Sequence, residues 1–424
     1  MNKEMVSPAF HQMMIVAAIG ATGKKIDVAD VDWRSVLCYA QEQAVMPLVA
    51  SSLLVQPEIA CPDLLREQLL DMMRMESGAN YVRKTRIFHL IQAMETAGID
   101  VKLLKGYAVA LCYAYPDCRI SADTDILVPM EQEEKVCDYL NAKGFRIDRR
   151  GNTEHHDVGQ HPKLGVVEIH VHLYNELRRN VWFRTVKHEE FIKEASVREY
   201  TADTPYATLG HTDHLIFLTL HMVEHFICTG MGLRMMLDIA LFFSKHKEQI
   251  NVQRYWSLME SLKFTTLVSS ILWALIDTGC FDKNDFPGMS ENRPEGIDLL
   301  LNDLEQGGHM GIKGKQQYDG SYEYSRQVML RTKSHMQYRI YMLRQKMRDA
   351  EKQMFPEKGN LVKLYPVLMT KKWLTPLMRV YRMFAYPIQK IREGALKDQI
   401  RSESSDMPEE AQRRVEMFKV LNMI

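Results

Sequence analysis

LLKGYAVALCYAYPDCRISADTDILVP, residues 103–129, is the stretch of this 424-residue chain that decides its fold. It predicts an apolar strand that ends at a Lys-Gly turn, then a short helix, and then a second strand that carries two aspartates. Asp123 and Asp125 leave the same face of the second strand, because alternate residues of a strand point the same way. Two carboxylates held this close repel each other unless a cation lies between them. The stretch therefore predicts a divalent metal that also carries the phosphates of a nucleotide.

The neighbours of the two aspartates favour such a site over a solvated strand end, which is the ordinary explanation of an Asp-x-Asp pair. Lys105 and Gly106 lie between a strand and a helix, where glycine lets a phosphate approach backbone N–H groups. Arg119 lies just upstream of Asp123, and its guanidinium could bind phosphate oxygens. Alone, a Lys-Gly pair is more often a simple turn, and an arginine is more often a surface residue. Together with Asp-x-Asp they predict a nucleotide-binding site.

A third carboxylate is predicted on a later strand, VVEIHVHL at residues 166–173. Glu168, His170 and His172 share one face of that strand, and the intervening apolar residues share the other, which should be buried. An antiparallel strand with one solvated face gives the same alternation. The coincidence with Asp-x-Asp favours a metal site that Glu168 completes.

Apolar spacing and strand patterns divide the chain into four predicted regions. Residues 1–98 form an N-terminal helical region, beginning with an amphipathic helix rather than a signal peptide. Residues 99–200 form a compact mixed α/β core, residues 201–306 a helical domain, and residues 307–424 a basic C-terminal helical region with one long helix over 322–352. The predicted fold class is α+β, with a small mixed sheet embedded in a mainly α-helical protein.

Composition and cysteine usage describe an ordinary soluble protein. Lysine plus arginine and aspartate plus glutamate each number 54, so the whole-chain charge identifies no class of partner. The seven cysteines are odd in number and form no Cys-x-x-Cys, which favours reduced thiols in the cytoplasm over a disulfide framework or zinc ribbon. The longest apolar run, residues 264–276, is too short to span a bilayer.

Positive charge is concentrated near the C-terminus. Residues 315–401 contain 19 lysines and arginines against 7 aspartates and glutamates. A solvated helical face is the usual explanation of such a run. Tyr338, Tyr341, Trp373 and Tyr381 lie among the basic residues, a mixture that also suits RNA or DNA. An anionic membrane surface is the third alternative, with the protein held peripherally.

The order Lys-Gly, Arg, Asp-x-Asp and a later acidic strand resembles the nucleotidyltransferase superfamily with a polymerase-beta-like fold. Within it, residues 103–129 resemble an uncharacterised bacterial nucleotidyltransferase family. Residues 211–243, HTDHLIFLTLHMVEHFICTGMGLRMMLDIALFF, are similar to its helical region. The resemblance covers roughly residues 85 to 250. The chain departs from the superfamily by having Lys105-Gly106-Tyr107 where Gly-Gly or Gly-Ser is usual, and Glu168 where aspartate is commoner.

The resemblance implies roles for these residues. Asp123 and Asp125 would bind two Mg²⁺ or Mn²⁺ ions, with Glu168 as the third ligand and a candidate base. Gly106 and its loop would hold the triphosphate of a nucleoside triphosphate, with Lys105 and Arg119. Substrate contacts, or contacts behind the ligands, are expected at His170, His172, His221, His225, Arg234 and Asp238.

Three functional hypotheses follow. The first is metal-dependent transfer of a nucleotidyl group to a protein side chain, an RNA end, a sugar or a small metabolite. The second is a catalytically silent, nucleotide-binding or regulatory protein of the same fold. The third is a zinc hydrolase, because His221-Met-Val-Glu-His225 matches the H-x-x-E-H pattern of inverted zinc peptidases. The apolar character of that helix favours buried, hydrogen-bonded histidines instead. The nucleotide, the acceptor and the oligomeric state are left open by the sequence.

Overall fold

The computed structural model describes residues 6–28, 30–148, 156–173, 192–201, 204–308 and 409–424, together with residues 374, 376 and 381. Helices predominate. Those before the sheet are α1 (Pro8–Thr22), α2 (Trp33–Glu42), α3 (Met46–Val55) and α4 (Asp63–Thr96). The sheet region contains β1 (Lys102–Leu103), α5 (Tyr107–Ala110), β2 (Asp123–Leu127), α6 (Glu133–Ala142), β3 (Arg146–Asp148), β4 (His156–His161), β5 (Gly165–His170), β6 (Val197–Thr201) and β7 (Thr204–Thr208). The helices after it are α7 (His211–Cys228), α8 (Leu233–His246), α9 (Val252–Leu262), α10 (Thr265–Ile276), α11 (Ile297–Gly307) and α12 (Glu409–Val420).

The sheet is small and mixed. Its five strands are ordered β1-β2-β5-β4-β3, and β6 and β7 form a separate two-stranded sheet. Strand β2 pairs parallel with β5, whereas its pairing with β1 is antiparallel. The structure therefore confirms the predicted fold class, a small mixed sheet within a mainly helical chain.

Apolar alternation anchors the central strands. Ile126 on β2 and Val167 and Ile169 on β5 are buried, and they pack with Ile87 and Phe88 of α4 in one apolar core. A larger core collects buried residues from helices before and after the sheet, including α1, α3, α7, α8 and α10. Burial on this scale is the main favourable contribution to folding. The predicted division into four regions stays a prediction.

Helix α1 differs from the amphipathic helix that we expected. Residues 16–21 are buried without interruption, so α1 is a central helix rather than one with a polar face. Gly20 allows α1 to lie this close to α3, since a Cβ atom at residue 20 would lie 1.9 Å from the carbonyl oxygen of Leu48 in α3. Pro47 lies in the first turn of α3, where proline is tolerated.

The remaining differences concern short elements. The short helix predicted after the Lys-Gly turn is α5, which has a single turn and ends at Ala110, and the hairpin β6–β7 was not predicted. The basic helix expected over residues 322–352 lies outside the described residues, as does most of the basic segment 315–401. Among the described residues, no helix combines the length and the apolar character needed to cross a membrane.

Candidate active site

Parallel pairing of β2 with β5 brings two acidic residues side by side. Asp125 lies directly opposite Glu168 in the register, and His170 follows two residues later on the same face of β5. Ligand atoms of these three side chains all lie within 4.8 Å of one another. The sequence predicted Asp125 and Glu168 as metal ligands, and the structure brings them together. It adds His170, which was expected only as a substrate contact or a contact behind the ligands.

The carboxylate of Asp125 is fully buried and is contacted asymmetrically. Its Oδ1 atom lies 3.1 Å from Lys105 Nζ and 3.0 Å from His170 Nε2. Its Oδ2 atom is also buried, and among the described residues no donor reaches it. A buried acceptor without a donor costs free energy, so the second oxygen is a site where a cation would be stabilised.

The carboxylates of the site raise the pKa values of both side chains that contact Asp125 Oδ1. Burial alone would lower the pKa of Lys105, but Asp125, Asp123 and Glu168 together outweigh it and raise that pKa above its ordinary value. Burial also opposes protonation of His170, and its hydrogen bonds with Asp125 and Glu168 raise its pKa in turn. Without a metal ion, the positive charge of Lys105 therefore offsets part of the negative charge of the carboxylates.

Asp123 lies at the solvent-facing edge of the same site. Its side chain is 38% exposed, and its Oδ2 atom lies 3.8 Å from Lys105 Nζ. Lys105 thus spans both members of the Asp-x-Asp pair, as expected from their shared face. Asp123 is not part of the tight cluster that Asp125, Glu168 and His170 form.

Gly106 sits against the segment that precedes the aspartates. Its φ angle is 63° and it lies at the start of α5. A Cβ atom there would lie 2.9 Å from Ser121 Oγ, so only glycine combines this backbone conformation with this close approach. The turn therefore places Lys105 beside the carboxylates by packing directly on residue 121.

Arg119 is directed into the protein. Its guanidinium donates to both carboxylate oxygens of Asp238 on α8, at 3.1 and 2.5 Å, and to Ser121 Oγ at 2.7 Å. Tyr113 donates to the same carboxylate at 2.6 Å. Burial, followed by the charge of Asp238, raises the pKa of Tyr113 well above its usual value. In this structure, Arg119 and Asp238 are thus buried partners of each other rather than exposed phosphate contacts.

Side chains from two helices hold the backbone that leads into β2. Arg83 of α4 donates to the carbonyl of Ser121 at 2.9 Å, and Arg234 of α8 donates to the carbonyl of Ile120 at 2.8 Å. Asn80 of α4 donates to the carbonyl of Arg119 at 3.2 Å. Together with the Arg119–Asp238 pair, these bonds fix the position from which Asp123 and Asp125 project.

The remaining predicted histidines are placed differently from one another. His221 Nε2 lies 3.1 Å from Lys105 Nζ, so it accepts a hydrogen bond from the ammonium and borders the site. His225 Nδ1 lies 3.1 Å from Thr229 Oγ1. Neither belongs to a group of three metal-competent side chains among the described residues, which does not favour the zinc hydrolase. His172 is half-buried and lies two residues beyond the end of β5.

The set Asp125, Glu168 and His170 fits a divalent cation. Carboxylate oxygens suit Mg²⁺ and Mn²⁺, and an imidazole nitrogen suits Mn²⁺ better than Mg²⁺. The fit depends on the unpartnered Oδ2 of Asp125, since Lys105 and His170 satisfy only Oδ1.

Comparison with known proteins shows to which family the chain belongs. A family model described as "Uncharacterised nucleotidyltransferase" matches residues 29–276, which is more than half of the chain. The chain belongs to this nucleotidyltransferase family. The matched segment of this family member contains α2 to α10, the whole five-stranded sheet and every residue of the cluster around Asp125.

A solved structure resembles part of this nucleotidyltransferase family member. It is an antigenic nucleotidyltransferase-like protein from Paracoccidioides brasiliensis, 16% identical in sequence. The match covers 46% of this chain and 93% of that one, with a TM-score of 0.30. No curated protein matches the chain.

Proposed function

We propose that the protein transfers a nucleotidyl group from a nucleoside triphosphate to an acceptor, with Mg²⁺ or Mn²⁺ bound by Asp123, Asp125 and Glu168. One observation carries the proposal. A fully buried carboxylate, that of Asp125, has an oxygen that no donor of the described residues reaches, and Asp125 lies directly opposite a second acidic residue, Glu168, on the parallel strand. Membership of the nucleotidyltransferase family supports the assignment of this site to phosphate chemistry.

The reaction requires little covalent chemistry from the protein. An acceptor oxygen forms a bond to the α-phosphorus, and the bond from that phosphorus to the bridging oxygen of the β-phosphate breaks. Diphosphate leaves with the electron pair, and the acceptor proton passes to a base, for which Glu168 is our candidate. Divalent ions would neutralise the charge on the attacking and leaving oxygens. Catalysis is then mostly positioning and charge neutralisation.

Lys105 is the residue that we expect to change partners. In the structure its ammonium contacts Asp123, Asp125 and His221. Metal bound to the same carboxylates would repel the ammonium, which would then be available to the triphosphate above Gly106. Arg119 and Asp238 we assign to positioning the aspartates, because their charges are already paired with each other inside the protein.

The same contacts support one alternative. Lys105 and His170 already contact Oδ1 of Asp125, so a catalytically silent member of the fold could keep this carboxylate free of metal. Such a protein would bind nucleotide without releasing diphosphate.

Labelling distinguishes the two functions. The full chain is incubated with each nucleoside triphosphate labelled at the α-phosphate, with Mg²⁺ or Mn²⁺ and a cell lysate. Transfer predicts that label appears on an acceptor. Release of the label by protease, by nuclease or by neither then identifies the chemical class of that acceptor. Asp125→Asn should abolish labelling while the folded fraction stays measurable by circular dichroism. Nucleotide binding without labelling or diphosphate release would favour the silent alternative and overturn the enzyme.

A further inference from the structure

A second cluster of metal-competent side chains lies where the hairpin β6–β7 meets helices α7 and α8. Glu199 Oε1 on β6 lies 3.0 Å from His211 Nε2 at the start of α7. The ring of His211 stacks on that of His246, at the end of α8, with centroids 4.3 Å apart. One ligand atom from each of the three lies within 4.8 Å of the others. None of them belongs to the site around Asp125.

A buried histidine on the wall of the same cavity supplies an independent observation. His214 lies one helical turn after His211, is 1% exposed and lines this cavity with His211 and His246. Its Nε2 atom is buried and has no hydrogen-bond partner in the part of the chain that the structure describes. A buried polar atom of this kind calls for an explanation, and an absent ion is one of them.

The hydrogen bonds around His214 determine which nitrogen carries the proton. Thr208 Oγ1 donates its single proton to the carbonyl oxygen of Leu103, at 2.7 Å. His214 Nδ1 lies 3.1 Å from the same hydroxyl and must therefore be the donor in that contact. With the proton on Nδ1, the neutral ring leaves Nε2 as an acceptor. Its Nε2 atom then presents a lone pair to the cavity, oriented by Thr208 as metal-binding imidazoles commonly are.

We propose that Glu199, His211 and His246 bind a zinc ion or a similar borderline transition metal, with His214 Nε2 as the fourth ligand. Two imidazoles and one glutamate form a donor set that suits zinc. Nitrogens each about 2.1 Å from one zinc ion lie about 3.4 Å apart, so the spacing of Glu199, His211 and His246 requires only small side-chain movements. His214 lies outside that group of mutually close ligand atoms and would have to move closer to become the fourth ligand. The ligands come from β6, from the start of α7 and from the end of α8, so the metal would connect the hairpin to the two helices.

Two neighbouring groups bear on this assignment. Lys245 also lines the cavity, but its ammonium donates to the carbonyl oxygen of Leu111 at 2.6 Å. Cys112 Sγ lies 3.9 Å from His246 Nε2. We assign the imidazole of His214 to the fourth position, because its buried Nε2 atom has no hydrogen-bond partner among the described residues. Without metal, Glu199 and His211 would simply keep their hydrogen bond.

Zinc stoichiometry tests the proposal on the full chain, purified without a histidine tag. The protein is stripped with a chelator and titrated with zinc, and bound metal is measured by mass spectrometry of the elements. Wild-type protein should retain one equivalent, and Glu199→Gln and His246→Gln should each weaken binding at least about tenfold. The exposed residue His89 on α4 gives the matched control, His89→Gln, which should bind like wild type. Asp125→Asn should also retain zinc, which separates this site from the one under "Proposed function".

A measurement without substitutions covers the case of a variant that does not fold. Zinc should protect His211, His214 and His246 of wild-type protein from diethylpyrocarbonate, mapped by peptide mass spectrometry, while His89 stays reactive. The proposal is overturned if wild-type protein holds no zinc, if both ligand variants hold as much as His89→Gln, or if zinc protects none of the three histidines.

Discussion

Lys105 Nζ lies 3.1 Å from Asp125 Oδ1, so a protonated lysine already compensates the buried carboxylate that we assign to a metal ion. The ammonium and a divalent cation would compete for the same charge. In the absence of nucleotide, Lys105→Met should therefore bind Mn²⁺ more tightly, by at least about tenfold, because a unit charge some 4 Å away is worth several kcal/mol in a protein.

Isothermal titration with Mn²⁺ measures this effect. Lys102→Met is the matched control, since Lys102 lies on β1 and contacts Asp100 at 3.0 Å rather than the site. It should leave Mn²⁺ affinity unchanged. Equal or weaker affinity in Lys105→Met would mean that Lys105 supports metal binding instead of opposing it.

The pair Arg119–Asp238 should be important for stability, because both partners are buried. Removing one partner leaves an uncompensated charge, so Asp238→Asn should lower the free energy of unfolding by about 3–5 kcal/mol. Urea denaturation measures the loss. The exposed pair of Arg198 and Glu95 provides the comparison, and Arg198→Ala should cost about 1 kcal/mol or less. Similar losses in the two variants would show that the buried pair does not have the role we give it.

Gly106 should resist substitution for two reasons that act together. Gly106→Ala places a Cβ atom 2.9 Å from Ser121 Oγ at a φ angle of 63°, so we expect a loss of about 1–3 kcal/mol in unfolding free energy. Gly78→Ala is the control, because Gly78 lies within helix α4 and a Cβ there meets nothing within 4 Å. That variant should gain about 0.5–1 kcal/mol. If both variants lost the same unfolding free energy, the positive φ angle of Gly106 would not explain the effect.

Much of the helical structure, and the two central carboxylates of the site, could be predicted from the sequence. Apolar spacing indicates α2 and α9, because each buries one stripe of residues and leaves the rest wholly or partly exposed. Strand alternation places Asp125 and Glu168 on polar faces, and parallel pairing then makes them neighbours. These features depend on local periodicity, which a single sequence contains.

Other features depend on contacts between distant segments. The partners of Asp125 come from the turn after β1 and from β5, and no spacing shows that Lys105 and His170 will share one of its oxygens. Arg119 was predicted to bind phosphate because its partner, Asp238, lies far away in the sequence and no local pattern indicates that the two residues pair. The hairpin β6–β7 has few apolar residues and contains Pro205, so its pattern is weak. Glu199, His211 and His246 were missed for the same reason, since only the fold brings them together.

The most direct test of nucleotidyl transfer compares two positions of the label. The full chain, Asp123→Asn and Lys102→Met are each incubated with nucleoside triphosphates labelled at either the α- or the γ-phosphate, with Mn²⁺ and a lysate. Transfer by the Asp125 site predicts acceptor labelling from the α-labelled substrate alone, in wild type and Lys102→Met but not in Asp123→Asn. Labelling from the γ-phosphate, or full activity in Asp123→Asn, would contradict the account.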